Sequence, residues 1–378
     1  MQLMKTPKSM DIAITNRCNL RCQYCYHFES AEDAGTDLSL EEWFRFFDEL
    51  RRCAVMRLTL AGGEPFIRED LREFIDGIVK NRMRFSLLSN GTLISDEIAA
   101  YLASTKRCDY VQVSIDGSVP ITHDACRGQG SFVRAVNGIR ALRRHGVPVA
   151  IRVTIHRKNV RDLEGVAKLL LEDLALPNFS TNSASHLGLC RKNAQQVQLT
   201  AEERTLAMEA LLKLTSRYNG RISAAAGPLA EARGWLEMEA ARQQGLQSMP
   251  GRGFLSGCGV AKDSLAVRPD GVITPCTMLS HIELGRINEN SLQSVWQDHS
   301  RLKALRNRHL IPLSRFGFCE GCEYLNYCAG SCPGVAYTLT GKDEHPAPDS
   351  CLRNFLRDGG SLPERGLLQN QARQGATC

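Results

Sequence analysis

Residues 9–28 read SMDIAITNRCNLRCQYCYHF. SMDIAIT reads as a strand, and Cys18, Cys22 and Cys25 follow it at the spacing C-x3-C-x2-C. Three thiolates so spaced hold three irons of a [4Fe–4S] cube and leave the fourth iron without a protein ligand. A small molecule binds at such an open iron and receives an electron there. The competing reading is three of the four ligands of a zinc site.

Outward from this stretch, strand-like and helix-like segments alternate from about residue 9 to residue 183. Met56–Ala61, Phe85–Leu88, Tyr110–Ile115, Val147–Ile155 and, more weakly, Asn178–Asn182 read as further strands. Helical spacing relates Leu40, Trp43, Phe44, Phe47 and Leu50, and again Leu71, Phe74, Ile75 and Ile78. Helices are also expected over Ile94–Leu102, Phe132–Leu142 and Val160–Leu171. A βα repeat of about six units predicts an α/β fold, a parallel sheet with helices outside. Six units are too few to close an eight-stranded barrel, so a partial (β/α)6 barrel is expected. Chemistry in such sheets gathers at the carboxyl ends of the strands. Cys18, Gly62-Gly63-Glu64, Asn90-Gly91 and Asp116-Gly117 each follow a predicted strand and are expected on one rim.

The chain has 378 residues, a net charge of +6 and 15 cysteines. Charge without long runs of one sign fits a peptide or acidic partner and gives no indication of nucleic acid. No apolar stretch has membrane-spanning length, and MQLMKTPKSM lacks the apolar core of a signal peptide. The expected location is the cytoplasm, without membrane attachment. There, so many cysteines point to metal binding and not to disulfides. Cys53, Cys108, Cys126, Cys190 and Cys378 are scattered and read as incidental or buried thiols.

Residues 1–200 form the first expected unit, and 201–255, with two Ala/Leu/Glu-rich helices, a connecting region that completes it. Glycines and a proline around Met249–Gly257 mark a boundary, and 256–352 is cysteine-rich. Residues 353–378 form a polar tail. The second cysteine array runs Cys258, Gly271, Cys276, then Cys319-x2-Cys322-x5-Cys328-x3-Cys332-Pro333, then Cys351. In bacterial two-cluster ferredoxins, the last cysteine of a related run ending in Cys-Pro ligates the other cluster. A zinc-ribbon-like module is the competing reading.

The first triad, with Tyr24 inside it, resembles the signature of the radical S-adenosylmethionine (radical SAM) superfamily, and the second array resembles the SPASM domain. The resemblance covers roughly residues 10–355 and implies a radical SAM partial barrel with a C-terminal SPASM domain. It implies a [4Fe–4S] cluster on Cys18, Cys22 and Cys25, S-adenosylmethionine as cosubstrate, and two auxiliary Fe–S clusters, taken as [4Fe–4S]. Cys258, Cys276 and Cys332 would hold auxiliary cluster I, with an open or non-cysteine fourth position; Cys319, Cys322, Cys328 and Cys351 would hold auxiliary cluster II. Tyr24, Gly62, Gly63, Glu64, Asn90, Ser114, Asp116 and Arg152 become the expected cosubstrate contacts. Glycine lets backbone approach a ligand closely, a carboxylate suits the methionine ammonium, and Arg152 suits its carboxylate.

Relatives with this plan act on peptides or proteins, and some work in haem modification. The expected activity is therefore oxidation or crosslinking of a ribosomally made peptide. A protein or tetrapyrrole substrate is the alternative, and a zinc-binding scaffold an alternative of another class. Sulfatase maturases place an aspartate next to the cysteine matching Cys276; here Thr277 stands there. CQYCYHF, MRFSLLSNGTLI and YVQVSIDG are similar to the subfamily of the SynChlorMet cassette. The first strand begins near residue 9, leaving no room for an N-terminal leader-recognition domain. A separate protein or the barrel surface is expected to read a leader, and a flavodoxin- or ferredoxin-type donor to supply electrons.

Overall fold

The computed structural model describes residues 3–28, 37–257 and 259–364. Ten strands form one sheet: β1 Ser9–Thr15, β2 Arg57–Gly62, β3 Arg84–Ser89, β4 Cys108–Ser114, β5 Val149–Ile155, β6 Phe179–Ser183, β7 Ile222–Ala224, β8 Ser264–Val267, β9 Val272–Thr274 and β10 Gly285–Arg286. Their order is β10-β9-β8-β1-β2-β3-β4-β5-β6-β7. All neighbours from β8 to β7 run parallel, while β9 and β10 are antiparallel additions.

Alternating side chains explain the two faces. Met10, Ile12 and Ile14 of β1 are fully buried under the helices, which leaves Asp11 and Ala13 on the opposite, interior face. The helix Leu40–Arg52 starts at a capping box between Ser39 and Glu42, and it buries Trp43, Phe46, Phe47 and Leu50. Phe44, expected on that face, is instead exposed by 37% and lies against Gly77 of the next helix. The helix expected over 160–171 is shorter, Leu163–Lys168, and continues as a π-turn over Leu169–Asp173.

The six units read over residues 9–183 are β1 to β6, and two further parallel strands join them from outside that stretch. The connecting region contributes β7 between helices Ala201–Arg217 and Pro228–Gln243. The cysteine-rich region contributes β8, which pairs with β1 from Ser9↔Ser264 to Ile12↔Val267. Eight parallel strands thus stand side by side without closing, since β7 and β10 each have one strand neighbour. One apolar core runs from Met10 to Phe355, across the boundary at residue 256. Part of the expected tail is helical, Leu352–Arg357, with Phe355 packed on Trp235 at 4.8 Å between ring centres. Among the described residues no helix is long and apolar enough to cross a membrane.

Candidate active site and cluster sites

The chain leaves β1 at Thr15 and turns back over the Gly62–Glu64 loop. The Gly63 N–H donates to the Thr15 carbonyl at 2.9 Å and the Glu64 N–H to that of Arg17 at 2.8 Å. A Cβ on Gly62 would lie 2.3 Å from the Thr15 oxygen, and one on Gly63 2.1 Å from the Arg17 oxygen. These glycines are thus required by the triad loop itself, ahead of any approach to a ligand. Glu64, expected to meet an ammonium, is buried and engaged within the protein. It accepts from Ser89 Oγ at 2.8 Å, the Asn90 N–H at 2.7 Å and the Phe66 N–H at 3.3 Å. Burial pushes its pKa up to about 7 despite these donors. Asn90 Nδ2 donates to Asn19 Oδ1 at 2.9 Å and lies 3.9 Å from Cys18 Sγ. Three rim loops are therefore tied around Cys18.

Asp116 is engaged within the protein in the same way. Its carboxylate is fully buried and taken by protein donors: Tyr24 Oη, Arg127 Nε at 2.5 Å and the Thr154 N–H at 2.8 Å. Burial raises its pKa, but Arg127, helped by His156 and His123, outweighs that and holds the carboxyl below its usual range. Tyr24 is buried too, stacked on His156 at 5.2 Å, with the Arg127 guanidinium 5.4 Å from its ring centre. Arg127 Nη1 also lies 4.0 Å from Cys22 Sγ. Sequence alone assigns Arg127 no role. Only the fold brings it back from the Pro120–Arg127 helix to the triad.

Cys25 is covered from another direction. The N–H groups of His27 and Phe28 point at its sulfur. The Cys190 N–H donates to the Cys25 carbonyl at 3.4 Å and the Leu189 N–H to that of Phe28 at 2.8 Å. Gly188, at φ +58°, lies so close to the Cys25, Tyr26 and Phe28 carbonyls that a Cβ would sit 2.6–2.8 Å from each. This clamp was also invisible in the sequence. Burial raises all three thiols, Cys22 to about 12, so each thiolate needs positive charge brought to it. Buried sulfurs with N–H donors and a nearby guanidinium suit an iron–sulfur cluster.

Across the interior, Ser114, Arg152 and Ser180 stand in register on β4, β5 and β6, half-buried. Two residue pairs further on, Thr154 faces Asn182, whose buried Oδ1 has no hydrogen-bond partner among the described residues. Burial lowers the Arg152 pKa, and no ion pair engages it among the described residues. Asn182 was missed because a strand asparagine carries no motif.

Of the second array, Cys258 lies outside the described residues. Cys319, Cys322, Cys328 and Cys351 line one small cavity of about 30 Å³ with Leu313, Phe318 and Tyr324. Burial, and then Cys328, Cys322 and Cys351, push Cys319 up to about 12. Cys276 and Cys332 are elsewhere, each at the start of a helical turn, Thr277–Leu279 and Pro333–Thr340. Those turns pack so closely that a Cβ on Gly334 would lie 2.7 Å from Met278 Cβ. Gly271, at φ +87°, makes the tight turn between β8 and β9. An interior cavity of about 440 Å³ joins the two regions, with Ala13, Asn16, Tyr26 and His27 on one side and Ala266, Thr274 and Thr277 on the other. Tyr26 is hydrogen-bonded to Thr277 and feels the charges of both Cys25 and Cys276.

Residues 12–170 match the radical SAM superfamily, and residues 258–323 the SPASM iron–sulfur cluster-binding domain. The chain is 29% identical over 332 residues to the Fe-coproporphyrin III synthase of Methanosarcina barkeri, covering 84% of this chain and 81% of that one. It is 26% identical over 339 residues to the PqqA peptide cyclase of Ruegeria pomeroyi, covering 89% and 84%. Its fold is similar to that of Streptococcus suis SuiB bound to the precursor peptide SuiA, with TM-score 0.69, 16% identity, and coverage of 93% of this chain and 77% of that one. With the triad at the end of β1 and the cysteine-rich region joined to the same sheet, the chain carries a radical SAM domain and a SPASM domain and is a radical SAM enzyme.

Proposed function

We propose that this enzyme oxidises or crosslinks a ribosomally made peptide in the cytoplasm. The observation that carries the reading is the interior cavity between β1 and β8, walled by the triad loop on one side and by residues beside Cys276 on the other. About 440 Å³ suits a side chain with its flanking backbone. The relationship to a PqqA peptide cyclase supports the same substrate class.

Cys18, Cys22 and Cys25 would hold a [4Fe–4S] cluster, Cys258, Cys276 and Cys332 auxiliary cluster I, and Cys319, Cys322, Cys328 and Cys351 auxiliary cluster II. The single cavity shared by the last four, away from Cys276 and Cys332, supports that partition. When bound, the triad cluster supplies the electron that splits S-adenosylmethionine into methionine and a 5′-deoxyadenosyl radical, which takes hydrogen from the peptide. Arg152 and Ser114 bind the cosubstrate's carboxylate, and the Gly62–Gly63 backbone its amino group. Asp116 and Arg127 orient Tyr24, while Glu64 and Asn90 fix the loop around Cys18. A flavodoxin- or ferredoxin-type protein is the electron donor, and a separate protein or the barrel surface reads a leader.

A tetrapyrrole substrate is the second reading, favoured by the Fe-coproporphyrin III synthase relative. The cavity is poorly built for a polycarboxylate: Arg268, the one Lys or Arg lining it among the described residues, is already paired with Asp270 at 2.5 Å and Glu283 at 3.1 Å. The test changes Cys18, Cys22 and Cys25 together to Ala in anaerobically reconstituted protein. 5′-Deoxyadenosine formation should vanish while auxiliary iron remains; persistent cleavage refutes the triad assignment. Iron coproporphyrin III, added to wild type as substrate, should return unchanged.

A further inference from the structure

Asp11 lies on the interior face of β1, in register with Thr59 of β2 and Ala266 of β8. It is hydrogen-bonded to Thr59, and no ion pair engages it among the described residues. Burial raises its pKa above the usual carboxylate value. Its neighbours on this face are small: Ala13 two residues along, Ala61 paired with Ala13, and Ala266 opposite Asp11 itself. Ala13 and Ala266 are walls of the interior cavity, and Tyr26, another wall, feels the Asp11 charge. The cavity's own cation, Arg268, is held by Asp270 and Glu283. A half-buried carboxylate without a cation is costly, and three methyl groups beside it leave room for an aliphatic stem.

We propose that Asp11 anchors a basic side chain, lysine or arginine, of the peptide substrate, its stem lying over Ala13 and Ala266. The inference rests on the peptide reading above. Long basic side chains place their methylenes on apolar surface and their charge on a carboxylate. The cosubstrate's ammonium is a poor occupant. Asp11 lies four residues before Thr15, about 13 Å along the strand from where the triad loop departs.

The reconstituted holoenzyme, with S-adenosylhomocysteine present, is equilibrated with capped hexapeptides bearing one varied position: lysine, arginine, norleucine, glutamine or glutamate. Bound members are counted by mass spectrometry. Lysine and arginine members should be enriched about tenfold over norleucine. Asp11→Asn should abolish that preference and Asp11→Lys should turn it toward glutamate, with melting temperature and iron content checking each variant's fold. Wild type without basic preference, or a preference that survives Asp11→Asn, overturns the Asp11 assignment and leaves the peptide reading standing. Retention of no peptide at all, by protein that still cleaves S-adenosylmethionine, overturns both.

Discussion

Replacing Gly63 by alanine tests whether the turn after β2 fixes the triad loop. The new Cβ would lie 2.1 Å from the Arg17 oxygen, 2.6 Å from its carbonyl carbon and 3.1 Å from Cys18 Cβ. An ordinary contact begins at 3.4 Å, so the shortfall at the oxygen is about 1.3 Å. Neither side yields easily, because Gly63 and Glu64 N–H groups bond Thr15 and Arg17 at 2.9 and 2.8 Å. Overpacking of this kind costs about 1–3 kcal/mol. A displacement of about an ångström at reacting groups costs on the order of a hundredfold in rate. The assay is dithionite-driven 5′-deoxyadenosine release, with iron per chain measured on the same sample. Gly234→Ala is the control, since nothing lies within 4 Å of its Cβ on the helix Pro228–Gln243. It should keep full activity and gain about 0.5–1 kcal/mol of stability. Gly63→Ala with wild-type iron content and activity within about twofold would refute the reasoning.

Arg127→Ala should lower stability by about 3–5 kcal/mol, because it strands the buried Asp116 carboxylate; denaturant titration of the apoprotein measures this, and a loss under about 1 kcal/mol would deny the pair its role. Cys319→Ala with Cys322→Ala should remove about one cluster's iron and lower the melting temperature, since bound metal contributes to folding; unchanged iron would refute the partition. Glu231 is buried with Oε2 unpartnered among the described residues, and burial, opposed by Arg204, pushes its pKa up to about 7. The folded state holds this proton more tightly than the unfolded one, so stability should fall as pH rises from about 5 to 8, by about 2–3 kcal/mol. Glu231→Gln should flatten that slope in thermal unfolding, and an unaltered slope would rule the group out.

The parts of the site legible in the sequence were those written in local spacing. The triad, the cysteine array and the turns after β2, β3 and β4 needed only short-range patterns. What escaped depended on distant segments meeting. Arg127 carries no signal until its helix returns to Asp116, and Gly188 reads as any loop glycine until the chain crosses Cys25. Glu64 and Asp116 were recognisable as rim carboxylates, yet their partners, Ser89 and Asn90 in one case, Tyr24 and Arg127 in the other, are set by packing. β7 has three residues, too few to show any period. β8, with four residues, is nearly as short, and its place beside β1 is a matter of topology.

That place bears on attempts to treat the cysteine-rich half as a detachable cassette. Cutting the chain before Ser264 would strip β1 of one hydrogen-bonding neighbour along Ser9–Ile12. The cut would leave a bare flank in the strand that leads into the triad, open to pairing with another molecule. Shortened forms should therefore stick to one another before they report on chemistry. Exchanging this half between relatives will succeed only where the donor brings a strand that fits the same seam.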